Sequence, residues 1–138
     1  MHHEAEAMIS ELKIRNFKSL ESVDLKLGHF NLLVGANASG KSNFIDALRV
    51  LQGIANGLPI DEVLDGTPPS DASARWPGIR GGSKFATFRN RNGAQLEKFE
   101  LDVTLRSLEL ATKAGDDLTY HLDCLVTGEK PCILDYTS

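Results

Sequence analysis

Cysteine is scarce in this sequence, no excess of positive charge is present, and no long apolar run occurs. Cys124 and Cys132 are its two cysteines in 138 residues, too few for the disulfide framework of a small secreted domain. No His pair accompanies them at metal-ligand spacing, which argues against a zinc site, and both read as buried or incidental thiols of a reducing compartment. His2 and His3 read as a frayed or appended end rather than a metal-binding start. The absence of an 18-residue apolar stretch excludes a spanning helix. No charged segment followed by a short apolar one marks a secretion signal. The expectation is therefore a cytoplasmic protein without a membrane partner. Fifteen Lys and Arg face 19 Asp and Glu, a net charge of −4, so bulk electrostatics does not draw the whole chain to DNA, and a nucleic-acid partner would need a local basic patch. Apolar content of 41% and charged content of 25% are ordinary for a globular protein, and the length suffices for one domain with a core.

What is present is concentrated in one stretch, Gly35-Ala36-Asn37-Ala38-Ser39-Gly40-Lys41-Ser42. It satisfies G-x-x-x-x-G-K-[ST], follows an apolar run over residues 30–34, and opens a helical pattern. Small residues let the backbone curl round an anion with its N–H groups pointing inward, and the positive end of the following helix favours phosphate. Gly35, Asn37, Ala38, Ser39, Gly40, Lys41 and Ser42 of this stretch, with Asn43 directly after it, are the candidate nucleotide-binding residues. Lys41 would reach the β- and γ-phosphates and the Ser42 hydroxyl would ligate Mg²⁺. A Gly/Ser-rich turn matching by chance is the competing explanation, and a strand before and a helix after are the context that separates the two.

Along the chain, alternation predicts a strand from Met8 to Arg15 with one imperfect position, a second over residues 23–27, and a hairpin through Gly28 and His29 into a covered strand at 30–34 that feeds the loop. Phe44, Leu48, Leu51 and Ala55, widened by Ile45, Ala47 and Ile54, form the stripe of a helix over 41–55. Gly53 is expected to fray its last turn, and Asn56-Gly57 to end it. Residues 56–83 hold four of the five prolines and read as a loop excursion with one short helix at 60–64, Pro59 near its start. From Lys84 the period returns to two. A strand at 85–89, a turn at Asn90-Arg91-Asn92-Gly93, a long strand around 99–106 that Leu108, Leu110 and Ala111 either extend or follow as a helical turn, and another at 118–123 make a β-meander over 84–127. Residues 128–138 form a tail without a clear pattern.

Ile14-Arg15-Asn16-Phe17-Lys18-Ser19-Leu20, Phe30-Asn31-Leu32-Leu33-Val34-Gly35 and Asn37-Ala38-Ser39-Gly40-Lys41-Ser42-Asn43-Phe44-Ile45-Asp46-Ala47-Leu48 together resemble the opening of the ABC-type ATPase heads of the RecF/SMC group. That group includes double-strand-break repair ATPases and bacterial AAA family ATPases, some in overcoming-lysogenisation-defect (OLD) type defence. The resemblance is dense over residues 9–52 and weak afterwards. It implies an α/β P-loop NTPase, the N-terminal lobe of an ABC-type head, with a mixed sheet and an antiparallel β flank. It implies ATP and Mg²⁺ as cofactors, and a second head or a missing C-terminal lobe as partner, with DNA a candidate partner. It also makes Lys18 a candidate second cation for the phosphates, against a solvated lysine at a strand end. Asn37 would contact the γ-phosphate or its attacking water, or serve as a left-handed turn residue. Asp46 reads as structural, suited to the helix dipole. Arg75, Arg80, Lys84, Arg89 and Arg91, with Trp76, Phe85 and Phe88 between them, form either a nucleic-acid contact or a solvated loop. Arg80-Gly81-Gly82 again resembles the group's segment after the first helix.

The Asp-Glu strand ending that holds Mg²⁺ and polarises water in the group has no counterpart here. Asp123 and Asp135 end strand-like runs without a following Glu and read as solvent-facing. No Leu-Ser-Gly-Gly-type segment occurs, so the chain reads as an N-terminal lobe that stops before both. The leading expectation is the ATP-binding lobe of a RecF/SMC-like ATPase with negligible turnover alone, leaving an apolar patch where the second lobe belongs. The competing ones are a non-hydrolysing or regulatory nucleotide-binding fragment completed by another chain, and a P-loop kinase or GTPase. The last lacks its Asn-Lys-x-Asp segment.

Overall fold

A computed structural model of the chain describes residues 7–28, 40–68, 75–107, 117–126 and 131–137. Among these residues five strands form one sheet: β1 (Ala7–Phe17), β2 (Leu20–Lys26), β3 (Lys98–Ser107), β4 (Leu118–Leu125) and β5 (Cys132–Thr137), in the order β2-β1-β3-β4-β5. Every pairing among them is antiparallel. β1 is the long strand that alternation predicts, and its imperfect position is a register shift between Ile9 and Glu11 against β3. β2 turns back on β1, pairing Ile14 with Val23. The anticipated partner of this strand, residues 30–34, lies outside the described residues, as do Leu108, Leu110 and Ala111.

Period-two patterning sorts the sheet into two faces. On one, Leu12, Ile14, Phe99, Leu101, Leu122 and Cys124 are buried, and Phe17 joins them because the left-handed Asn16, φ +61°, breaks the alternation. Phe17 and Phe99 meet edge to face with ring centres 5.1 Å apart, the arrangement aromatic quadrupoles favour. The other face carries rungs of polar side chains, such as Lys13, Asp102 and His121 in register across β1, β3 and β4. Here His121 Nδ1 lies 2.5 Å from Asp102 Oδ1. Asp123 belongs to this face, yet its side chain is 13% exposed and pairs with Lys98 at 3.3 Å, so it is not the solvent-facing residue expected.

Helix α1 (Lys41–Ala55) spans the predicted range and presents Phe44, Ala47, Val50 and Gly53 to the core. The stripe is rotated from the expected one: Val50 joins it, while Ile45 is 47% exposed. Gly53 does not fray the helix. A Cβ there would stand 2.9 Å from Val63 and 3.2 Å from Trp76, so glycine permits the close crossing of α2 (Ile60–Asp65). The described residues after α2, 66–68 and 75–82, bond back to it. Trp76 Nε1 donates to the Val63 carbonyl at 3.0 Å, and Ile79 is 5% exposed. The strand expected at 85–89 is a 3-10 turn at Ser83–Phe85 followed by isolated bridges, Thr87 to Phe17 and Arg89 to Gln95. The predicted turn at 90–93 is present, with the Asn90 carboxamide oxygen accepting from the Asn92 and Ala94 amides. The tail contributes β5, paired with β4.

Candidate functional site

The start of α1 is shaped by Gly40, whose φ of +88° lies in the left-handed region. An L side chain pays about 1–2 kcal/mol there, and a Cβ would also come within 3.0 Å of Leu20 Cδ2. Glycine is thus demanded at this point by conformation and by space. Lys41, Ser42 and Asn43 follow as the first turn of the helix, all half-buried. The helix start has no side-chain cap and no acidic residue in its first turn, so its positive end is not neutralised by a carboxylate of its own. A lysine, a hydroxyl and helix-terminal amides are the donor set that suits a magnesium-bound triphosphate: hard oxygen for the metal, N–H and ammonium for phosphate. Gly35, Asn37, Ala38 and Ser39, the rest of the predicted loop, lie outside the described residues.

Beside this helix start the fold gathers three chain segments on one carboxylate. Asp46, on the second turn of α1, is 2% exposed. Its Oδ2 accepts from Lys18 Nζ at 2.7 Å and from Arg80 Nη2 and Nε at 2.9 and 3.2 Å. Lys18 sits in the β1–β2 turn with φ +51°, and its ammonium also reaches the Arg80 carbonyl at 2.7 Å. Arg80 Nη2 further donates to Asn43 Oδ1 at 3.3 Å, and Asn43 Nδ2 donates to Ser19 Oγ at 2.5 Å. Burial pushes the Asp46 carboxyl up, but hydrogen bonds and charge from Lys18 and Arg80 outweigh it and hold the group below its ordinary value.

The structure therefore revises two readings of the sequence. Lys18 is not a solvated lysine: its side chain is 9% exposed. Asp46 lies beyond the first turn of α1, where the dipole argument has little force, and is explained by its two cations. Sequence reasoning left Arg80 in a diffuse basic cluster. The one available signal was its neighbourhood, Arg80-Gly81-Gly82, since a partner 34 residues away leaves no periodicity to detect.

The β1–β2 turn is also clamped from the far side. Lys18 N–H donates to the Ala86 carbonyl at 3.0 Å and Phe88 N–H to the Asn16 carbonyl at 2.9 Å. Between these segments opens a cleft of about 460 Å³, with Lys18, Ser19 and Asn43 on one side and Phe85, Phe88, Arg89 and Gln95 on the other. That volume lies within the usual range for small-molecule pockets. Phe85 is 60% exposed at its mouth. The basic and aromatic cluster of residues 75–91 is thus divided: Trp76 and Arg80 bond to α2 and α1, Arg80 with its side chain still 59% exposed, while Phe85, Phe88 and Arg89 line the cleft. Among the described residues, no group of three or more His, Cys, Asp or Glu side chains is placed to hold a metal ion. No helix among them is long and apolar enough to cross a membrane.

Comparison with known proteins bears on the family and the fold. The family model described as the AAA ATPase domain matches residues 8–113. Among curated proteins, the OLD nuclease of Thermus scotoductus is 29% identical over 121 residues, covering 84% of this chain and 20% of its own length. The DNA replication and repair protein RecF of Glaesserella parasuis is 49% identical over 41 residues, 29% of this chain and 11% of its own. The chain thus spans a fifth or less of these relatives. Among solved structures, one from a study of ATP-driven dimerization and DNA-stimulated activation of SMC ATPases matches 94% of this chain and 72% of its own, with TM-score 0.56 and 21% identity. The structure of the recombination mediator RecF with ATP matches 94% of this chain and 28% of its own, with TM-score 0.54 and 20% identity.

Proposed function

Because the chain belongs to the family of AAA ATPase domains and folds as an α/β P-loop lobe like that of SMC and RecF heads, we propose that residues 35–42 hold the triphosphate of ATP with Mg²⁺. Gly35, Asn37, Ala38, Ser39 and Gly40 supply backbone amides in this reading, Lys41 the ammonium for the outer phosphates, and Ser42 the magnesium ligand. Asn43 and Lys18 border the phosphates from the helix and the β1–β2 turn, and the cleft between Lys18 and Gln95 takes the ribose and base. When bound, the metal would offset phosphate charge, while the residues of this chain bind and orient the nucleotide. The single observation that carries the reading is the left-handed glycine at the start of an acid-free helix terminus, flanked by two buried-carboxylate-anchored cations.

Titration calorimetry with Mg-ATP tests it. Heat that saturates in the wild-type chain and disappears in Lys41→Ala is expected; no ATP-dependent heat, or heat indifferent to Lys41→Ala, refutes the assignment.

A second reading, binding without turnover by these residues, draws on a specific observation. Asp46, the buried carboxylate of the site, is engaged by two cations and is not available to polarise a water. Hydrolysis by the 138 residues alone is accordingly proposed to be negligible, with the catalytic acid and the second nucleotide-facing surface supplied by another lobe or a second head. A Lys41-dependent turnover on the order of 1 s⁻¹, within the ordinary enzyme range, would overturn this. The named relatives act in DNA repair or as a nuclease. On that footing the ATP-bound lobe serves a cytoplasmic machine that acts on DNA, in repair or in defence.

A further inference from the structure

We propose that Asp46 is a positioning residue: it fixes Lys18 and Arg80 at the separation and direction in which they meet the phosphates of a nucleotide held at the start of α1. This rests on the nucleotide-site reading above and goes beyond it by assigning the order of the site to a carboxylate that touches no ligand.

Lys18 and Arg80 come from segments that share no strand pairing or helix with α1, and each side chain has several rotatable bonds, so each would sample many positions if left to itself. Asp46 removes that freedom. One of its oxygens takes Lys18 Nζ, Arg80 Nε and Arg80 Nη2 together, with two of the three at 2.9 Å or less, as expected of charge-assisted bonds. Gripping a guanidinium by Nε and one Nη fixes its plane, which a single contact to an ammonium cannot do. The Arg80 carbonyl also accepts from Lys18 Nζ, so the two cations are locked to each other as well as to the helix.

Position then follows from sequence. Asn43 and Asp46 lie three residues apart on one face of α1, and Arg80 Nη2 bonds both. The guanidinium is thereby drawn along the helix toward its first turn, where Lys41 and Ser42 stand. The Arg80 side chain remains 59% exposed and that of Asp46 3%, so the cation faces solvent while its anchor does not. Two cations against one carboxylate leave a net charge of +1.

Charge alone and geometry predict opposite signs, which makes the proposal testable. Neutralising Asp46 raises the local charge from +1 to +2 and by Coulomb attraction would tighten a polyanion. Losing the anchor releases two side chains that must be ordered again on binding. We expect geometry to win. The probes are Mg-ATP and inorganic tripolyphosphate, titrated into wild type, Asp46→Asn, Arg80→Lys and the double variant. Temperature is kept below each thermal midpoint, so a merely structural defect leaves the dissociation constant unmoved.

Asp46→Asn should weaken both ligands about tenfold, Arg80→Lys several-fold, and the double variant no more than Asp46→Asn alone, because both act through one geometry. Unchanged or tighter binding in Asp46→Asn, or full additivity, overturns the proposal. Should Asp46→Asn not fold, Arg80→Lys decides, since it keeps the charge at an exposed side chain; unaltered affinity there is fatal. Should wild type bind neither ligand, the nucleotide-site reading fails on its own account. The positioning claim is then judged on ligand-free protein by ¹⁵N NMR of the Arg80 Nε–H. A slowly exchanging signal that Asp46→Asn abolishes sustains it, and an unprotected signal in wild type disposes of it.

Discussion

Acid should act on this fold through Asp46. Burial opposes ionisation of its carboxyl, yet the bonds and charges of Lys18 and Arg80 leave it easier to ionise in the folded chain than in the unfolded one. Below its ordinary value the unfolded state therefore binds more protons than the folded state, and stability rises with pH through that window. The contribution is complete above the ordinary carboxylate value and is lost as pH falls through the lower folded value. Urea unfolding at successive pH values should show a steeper acid loss in wild type than in Asp46→Asn, with the two curves converging at the acid end. A second expectation concerns Gly40. Gly40→Ala places a Cβ on a left-handed residue and against Leu20 Cδ2 at 3.0 Å, so denaturant titration should show a loss of about 1–2 kcal/mol. Both residues serve the same corner of the molecule, one by conformation and one by charge.

Elements display what local pattern can and cannot convey. Helix α1 runs from Lys41 to Ala55, as the spacing of Phe44, Leu48 and Leu51 indicates, and β1, β2, β3 and β4 follow from alternation. The losses have physical causes. Gly53 looks like a weak point because helix propensity is a property of the isolated segment, whereas its role is set by Val63 and Trp76 from outside the helix. Phe85 and Phe88 suggest a strand by composition, but Gly82 at φ +64° leads into a 3-10 turn instead. β5 was hidden because its few residues gain their meaning only from pairing with β4. The Lys18–Asp46–Arg80 cluster joins residues 28 and 34 positions apart, a distance at which no periodicity survives. Of the predicted phosphate loop, Gly40, Lys41 and Ser42 fall among the described residues, at the left-handed start of α1, and the cations beside them were only half legible. Gly53→Ala puts the helix question to experiment. Propensity alone would stabilise by about 1 kcal/mol, but the 2.9 Å approach to Val63 should reverse the sign. A lower thermal midpoint is expected, restored in part by adding Val63→Ala.

At the scale of the whole molecule, the apolar face of the sheet is only partly covered by α1. A groove of about 610 Å³ runs between Leu48, Leu51 and Ile54 of the helix and Leu101, Val103, Leu105 and Tyr120 of the sheet. The chain should therefore bind the hydrophobic dye ANS while retaining native near-UV circular dichroism, a combination that separates an open groove from loosened packing. Leu51→Lys should diminish the dye signal. The sheet edge at β2 is better guarded, for Glu21, Asp24 and Lys26 place charge along it and discourage strand addition.

The order β2-β1-β3-β4-β5 sets the two halves of the chain side by side: β1, β2 and both α-helices come from before residue 69, and β3, β4 and β5 from after residue 74. Their seam is the β1–β3 pairing, with eight partnered residues from Ala7 to Arg15, reinforced where Asp46 holds Arg80. Such a seam does not require peptide continuity. Two polypeptides divided between residues 68 and 75, expressed together, should reunite into one particle on a sizing column, and Arg80→Ala should weaken the reunion. The molecule is in this sense already two abutting pieces, and the candidate phosphate corner draws Asp46 and Lys18 from one and Arg80 from the other.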